Sequence, residues 1–313
     1  MGVPGPLLNV RYWIVVGIVL GFAIGPRENV NFSLLMIVVL MIQMSISMDG
    51  LEFSRKDFRE HRKDVFISLL CCFVLNTGVT ILVGLPFINS HPGVWYGWAL
   101  FASIPCAIAV VVCAIYMKGD AKLALLSVTA IYMISLGLTP ILSFILIGNA
   151  VSPFEILRYI VLFIAVPFGL SFLIKRLHLK SGSKTISMNA MMMLLVLFAI
   201  AANREVFFKD PWLVLAVLGF ATLRLVATTV IPWEWSRRAG SGRGRSVVYV
   251  SASAWKNTGL CITMAMVLLP GMQEAVLPSV ISLLAENVWF MIMTAKADSI
   301  WSEERFPSLA AST

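Results

Sequence analysis

Three ionisable side chains sit where a charge is most expensive. Arg224, Lys256 and Glu286 each fall deep inside a long apolar stretch. A charge near the centre of a lipid bilayer costs about 2.5–3.5 kcal/mol on the insertion scale, so each asks for a partner. Glu286 is the one deep carboxylate against two deep cations. Neighbouring spans make it the expected counter-ion of Lys256, with Arg224 as the rival. A lysine at that depth serves as a structural ion-pair partner, a fixed cation or a proton carrier. Cys106 follows Pro105 and offers sulfur to a soft ligand, although a free cysteine also serves as a small buried apolar residue. Asn76, Thr77, Thr258 and Asn287 are mid-span polar groups that either join helices or line a cavity. Asn257 lies beside Lys256 in the same stretch. Arg158, with Glu155 close before it, reads as an interfacial pair at a span end.

The elements that carry these residues follow from composition. Of 313 residues 59% are hydrophobic and only 13% charged, with mean hydropathy +0.90. A soluble domain carries about 25% charged residues, so the solvent for most of this chain is lipid. Soluble enzymes, disordered tails and disulfide-rich secreted modules are excluded. A bilayer crossing needs roughly 20 apolar residues, and ten segments qualify: Leu8–Gly25, Phe32–Met48, Asp64–Phe87, Val94–Met117, Ala121–Gly148, Pro153–Ile174, Thr185–Ala202, Pro211–Pro232, Ser246–Leu269 and Met272–Ala295. The runs do not alternate, which excludes barrel strands. The expectation is an all-α polytopic membrane protein of ten transmembrane helices, with no cleavable signal peptide. Five cysteines and three histidines without metal spacing imply no metal and no cofactor. No nucleophile–base pair lies in the spans, so no enzyme is expected.

Net charge is +8, and the basic residues fall in short loops, so membrane topology explains them without nucleic acid. Eighteen of the 24 Lys and Arg residues lie on one side of the ten spans, and only Arg27, Arg204 and Lys209 lie on the other. That bias places both termini, and the tail 296–313, in the cytoplasm of a multi-pass cell-membrane protein. The stretch Ser54–Lys63, which mixes acidic residues with its basic ones, reads as a solvated loop in reach of anionic lipid. The run SGRGRS follows no strand and is no phosphate loop.

Ten spans divide into five-helix repeats, 8–148 and 153–295, and an odd-numbered unit repeated once inserts with inverted topology. The fourth span of each half looks interrupted. Pro105 breaks ASIPCAIAVVVCAIYMKGD, and SASAWKNTGLCITMA places Lys256, Asn257, Thr258 and Gly259 at mid-depth. Unwound backbone at that depth is tolerated where it lines a cavity, so the two breaks mark the expected substrate and ion site.

Three passages in order, MDGLEFSRKDFREHRKD, IPCAIAVVVCAIYMKGDAKLALLSV and KNTGL, resemble the bile acid:sodium symporter superfamily. The resemblance implies crossed, broken helices four and nine. It also implies a panel of spans one, two, six and seven beside a core of the rest, and transport of a small organic anion by alternating access. Its sodium ligands do not carry over. Val110 and Val111 stand at the family's Ser-Asn pair, Ala252 at its glutamate and Lys256 at its glutamine, and Asn76 alone matches a further polar position. Sodium as a cofactor therefore loses its usual ligands, and Lys256 is expected to replace it with a tethered ammonium, with transport either proton-coupled through Lys256 and Glu286 or uncoupled. The alternatives are a sodium-coupled symporter with a rebuilt site, or an arsenite efflux carrier. For the latter Cys106 matches the functional cysteine, while Gly259 stands where a carboxylate belongs. A channel and a membrane sensor are the competing classes. The expected site comprises Asn76, Pro105, Cys106, Lys256, Asn257, Thr258, Glu286 and Asn287.

Overall fold

The computed structural model describes residues 10–27, 29–48, 55–148, 151–176 and 180–306. Among these residues the chain is helical, with one isolated antiparallel bridge and no strand. In order the helices are α1 (Val10–Ile24), α2 (Phe32–Met48), α3 (Arg55–Glu60), α4 (Arg62–Leu70), α5 (Thr77–Gly84), α6 (Pro92–Ser103), α7 (Ala109–Tyr116), α8 (Ala121–Ile147) and α9 (Pro153–Ile160). There follow α10 (Val166–Arg176), α11 (Ser181–Ala202), α12 (Arg204–Lys209), α13 (Pro211–Arg238), α14 (Gly242–Ala254), α15 (Thr258–Leu268), α16 (Leu277–Ala295) and α17 (Ala297–Ile300). A π-helical turn, Cys71–Asn76, joins α4 to α5, and another, Val161–Ala165, joins α9 to α10.

Among the described residues six continuous stretches are long and apolar enough to cross a bilayer: Arg62–Phe87, Ala121–Ile147, Phe154–Arg176, Gly182–Ala202, Pro211–Arg238 and Gln273–Ala295. The other expected spans take two forms. α1 and α2 are shorter apolar helices, and Leu8 and Asn9 of the first lie outside the described residues. The spans around Pro105 and Lys256 are each divided, into α6 and α7 and into α14 and α15. Residues 49–54 of the MDGLEF passage and 307–313 of the tail also lie outside the described residues.

Local chemistry sets the helix starts. Asp120 and Asp210 each accept a hydrogen bond from the backbone N–H three residues on, at Leu123 and Leu213, and Pro211 adds a preset first turn. Three expectations need correction. Pro232 does not end its span, because α13 runs on to Arg238. The proline removes one N–H and crowds the carbonyl a turn back, and packing against α14 and α16 carries the helix through. The stretch expected as a loop through Lys63 is instead helical from Arg55, as α3 and the start of α4. Glu155 and Arg158 are both exposed, and no ion pair joins them among the described residues.

The helices pack in two groups. α1, α2, α10 and α11 form one; α4 to α8 and α13 to α16 form the other, around the two breaks. Gly17 lets α1 lie against α11, since a Cβ there would meet the Met193 carbonyl oxygen at 2.6 Å, and close approach through small residues is how helices associate in lipid. The groups meet where α15 lies against α2 and α11. Past α16 the chain turns back onto the ends of α13 and α14, burying Trp301 and Phe306. The Trp301 indole N–H donates to Ser246 Oγ at 2.9 Å. Asp298 there bridges Lys118 Nζ and Arg243 Nη2, each at 2.8 Å.

Candidate functional site

The two breaks arise differently. Pro105 disfavours helical geometry at Ile104, which is extended at φ −76° and ψ 158° and ends α6. No proline interrupts the second. There Trp255 turns extended at φ −103° and ψ 108°, and Asn257 caps a new helix by accepting from Leu260 N at 3.0 Å. The unwound segments cross antiparallel, with Cys106 opposite Lys256. Ala107 N donates to Trp255 O at 2.9 Å and Asn257 N to Pro105 O at 3.0 Å. The exchanged bonds satisfy backbone groups that lipid could not.

The Pro105 break still leaves carbonyl oxygens without backbone donors, because the last turn of a helix has no N–H groups beyond it. Lys256 gathers them. Its buried Nζ donates to Ile104 O at 2.7 Å, Ala102 O at 3.1 Å and Cys72 O at 3.2 Å, the last from the π-helical turn. The Phe73 ring lies 5.4 Å from the same nitrogen, and Cys72 Sγ lies at 4.0 Å. This nitrogen thus sits at the negative end of α6, among main-chain carbonyl oxygens.

Glu286 is not the partner of Lys256. It accepts from Arg224 Nη2 at 2.6 Å, with both side chains nearly sealed from solvent. α13 and α16 pack against each other, which brings these residues together. Arg224 also covers the Phe101 ring at 4.7 Å, while its Nε and Nη1 find no acceptor among the described residues. Sequence spacing favoured Lys256 because consecutive spans are often neighbours; helix packing decides for Arg224.

The other expected residues divide. Pro105, Cys106, Lys256, Asn257 and Thr258 stand in the crossing itself. Asn76 supports it from the last residue of the π-helical turn, donating its amide to Ser253 O and accepting from Thr80 Oγ1. Asn257 Nδ2 reaches out to Tyr132 Oη at 2.8 Å and Met44 Sδ at 3.3 Å, so it touches both helix groups. Asn287 is elsewhere: its amide bonds the Leu283 carbonyl of its own helix. Tyr132, Met44 and Cys72 were not singled out for this site. A tyrosine mid-span in α8 was the readable signal, since its hydroxyl needs a partner in lipid. Nothing in the sequence marks the Cys72 carbonyl.

With this geometry in place, the comparisons carry weight. The model of the Sodium Bile acid symporter family matches residues 33–209, more than half of the chain. The chain belongs to that family. A search of curated proteins finds no match. The protein is therefore an integral membrane transporter of the Sodium Bile acid symporter family, all-helical in build. The matched region holds the Pro105 break and ends before Lys256, so the second half of the crossing stands on its own geometry.

Proposed function

We propose that the protein is a sodium-independent secondary transporter in which Lys256 occupies the place of a coupling cation and a small organic anion is the substrate. The observation that carries this reading is the ammonium of Lys256 held by three carbonyl oxygens from two separate elements. Those dipoles are what a hard cation takes from a protein, and here a tethered charge takes them. The side chains at the family's ligand positions, Val110, Val111 and Ala252, offer no oxygen.

On this reading the chain crosses the membrane ten times as two inverted repeats, with both termini cytoplasmic as the basic bias requires. The group of α1, α2, α10 and α11 moves against the group holding the crossing. Substrate enters between them, where Asn257 reaches Met44 and where the first turns of α7 and α15 favour negative charge. Membrane lipid is the only other partner the reading requires.

The test is uptake of a panel of small organic anions into proteoliposomes, with external sodium replaced by potassium. Flux that saturates and is unchanged by the replacement is expected, with loss of that flux in Lys256→Met. Flux that requires sodium and survives Lys256→Met overturns the reading.

A further inference from the structure

A hollow of about 460 Å³ lies between the start of α4 and the start of α14, lined by Arg59, Glu60, Arg62, Lys63, Asp64 and Arg245. We propose that it binds the phosphate headgroup of an anionic phospholipid. The site plays no part in the crossing of the broken helices and is independent of the transport reading.

Charge comes first. Four cations face two carboxylates, and one carboxylate is already engaged: Tyr249 Oη donates to Asp64 Oδ1. Arg245 Nη1 pairs with that same oxygen as an ion pair at 3.7 Å, too long for a hydrogen bond, so its N–H groups can still donate to another acceptor. Arg59, Arg62 and Lys63 form no ion pair with another described residue. The hollow thus keeps an excess of two positive charges over Glu60 and Asp64, and a phosphodiester reduces that excess while accepting several N–H bonds at once.

Depth comes second. Arg62 opens the 26-residue apolar stretch Arg62–Phe87, so the hollow lies where hydrocarbon gives way to headgroups. Phe66, Leu70 and Val74 follow Arg62 at intervals of four, and their exposures are 59%, 42% and 64%. Such spacing places successive side chains on one helix face, and a basic head above an apolar stripe is the shape of a phospholipid. Trp235, also exposed, lies against Tyr249 with ring centroids 5.9 Å apart, as aromatic residues do at membrane interfaces. Basic pockets between transmembrane helices commonly take anionic headgroups, and a free phosphate ion would make no use of the stripe.

Thermal melting of the purified full chain in mild detergent tests this, with phosphatidylglycerol, phosphatidylcholine of the same acyl chains, or inorganic phosphate added. Phosphatidylglycerol is expected to raise the midpoint by about 3 °C or more, and the other two to leave it unchanged. Arg62→Gln/Lys63→Gln should lose most of that shift, and Arg27→Gln/Lys209→Gln, two exposed cations elsewhere, should keep it. An equal shift from phosphatidylcholine, a shift from inorganic phosphate alone, or an undiminished shift in the Arg62/Lys63 variant overturns the proposal. Should that variant fail to fold, native mass spectrometry of the unmodified protein decides: phosphatidylglycerol retained in excess from an equal lipid mixture supports the site, and equal retention refutes it.

Discussion

Arg224 and Lys256 are both buried deep among apolar helices, yet they are compensated by different means. Arg224 belongs to the unbroken α13 and meets a full negative charge, Glu286, at 2.6 Å. Lys256 belongs to a break and meets no carboxylate but dipoles, chiefly the carbonyl oxygens of Cys72, Ala102 and Ile104. The backbone explains the contrast. An intact helix uses its carbonyls internally, so a cation on its flank needs an anionic side chain. A helix end and a π-helical turn release carbonyls, and a cation beside them needs nothing else. The first arrangement fastens two whole helices together. The second fills a place that a mobile ion could also fill.

The largest effects should come from splitting the ionic pair. Glu286→Gln, which leaves Arg224 as an uncompensated buried charge, is expected to destabilise by about 3–5 kcal/mol, read as a fall in melting temperature in detergent. Arg224→Met should cost a similar amount. The double variant Arg224→Met/Glu286→Met should recover much of the loss, because two apolar side chains leave no charge behind. Additive losses in the double variant would mean that the residues act separately, and the contrast with Lys256 would fail.

Lys256→Met comes next, at about 2 kcal/mol, the order expected when buried carbonyl groups lose a donor. Its signature is ionic rather than merely destabilising. With the tether gone, sodium should raise the melting temperature of this variant by mass action, and potassium less, while the parent protein responds to neither. A variant indifferent to both ions would show that the carbonyl set is no cation site.

How much of this was legible in the sequence depends on which physical signal sets each feature. The apolar runs gave the helical, membrane-embedded build because bilayer thickness fixes their length. The Pro105 break was readable because proline constrains its predecessor. The second break was readable only through polar residues at mid-depth, since Trp255 carries no mark of its extended backbone. The Lys256 cage was invisible, because its ligands are main-chain oxygens on Cys72, Ala102 and Ile104, and any residue type supplies those. The Arg224–Glu286 pair could be suspected and not assigned: three deep charges allow two pairings, and only the packing of α13 against α16 chooses. Asn287 shows the reverse error, a polar residue at the right depth that bonds its own helix.

The smallest effect should appear where the same kind of ion pair stands in water. Asp298 holds Lys118 and Arg243 together at the chain's return onto the helix ends, and these two cations, Lys118 first, hold its carboxyl below the usual carboxylate range. A carboxyl lowered on folding adds stability above its unfolded value, about 3.9, and loses it as pH falls further through the folded value. The Asp298 side chain is 68% exposed, so salt screens the contribution. Asp298→Asn should therefore lower the melting temperature slightly at pH 7 in low salt and negligibly in high salt. Below about pH 3.9 the difference from the parent should shrink as the parent's own carboxylate takes up its proton. A loss as large as that of Glu286→Gln would mean that water does not screen this pair, and solvent would no longer account for the difference between the two.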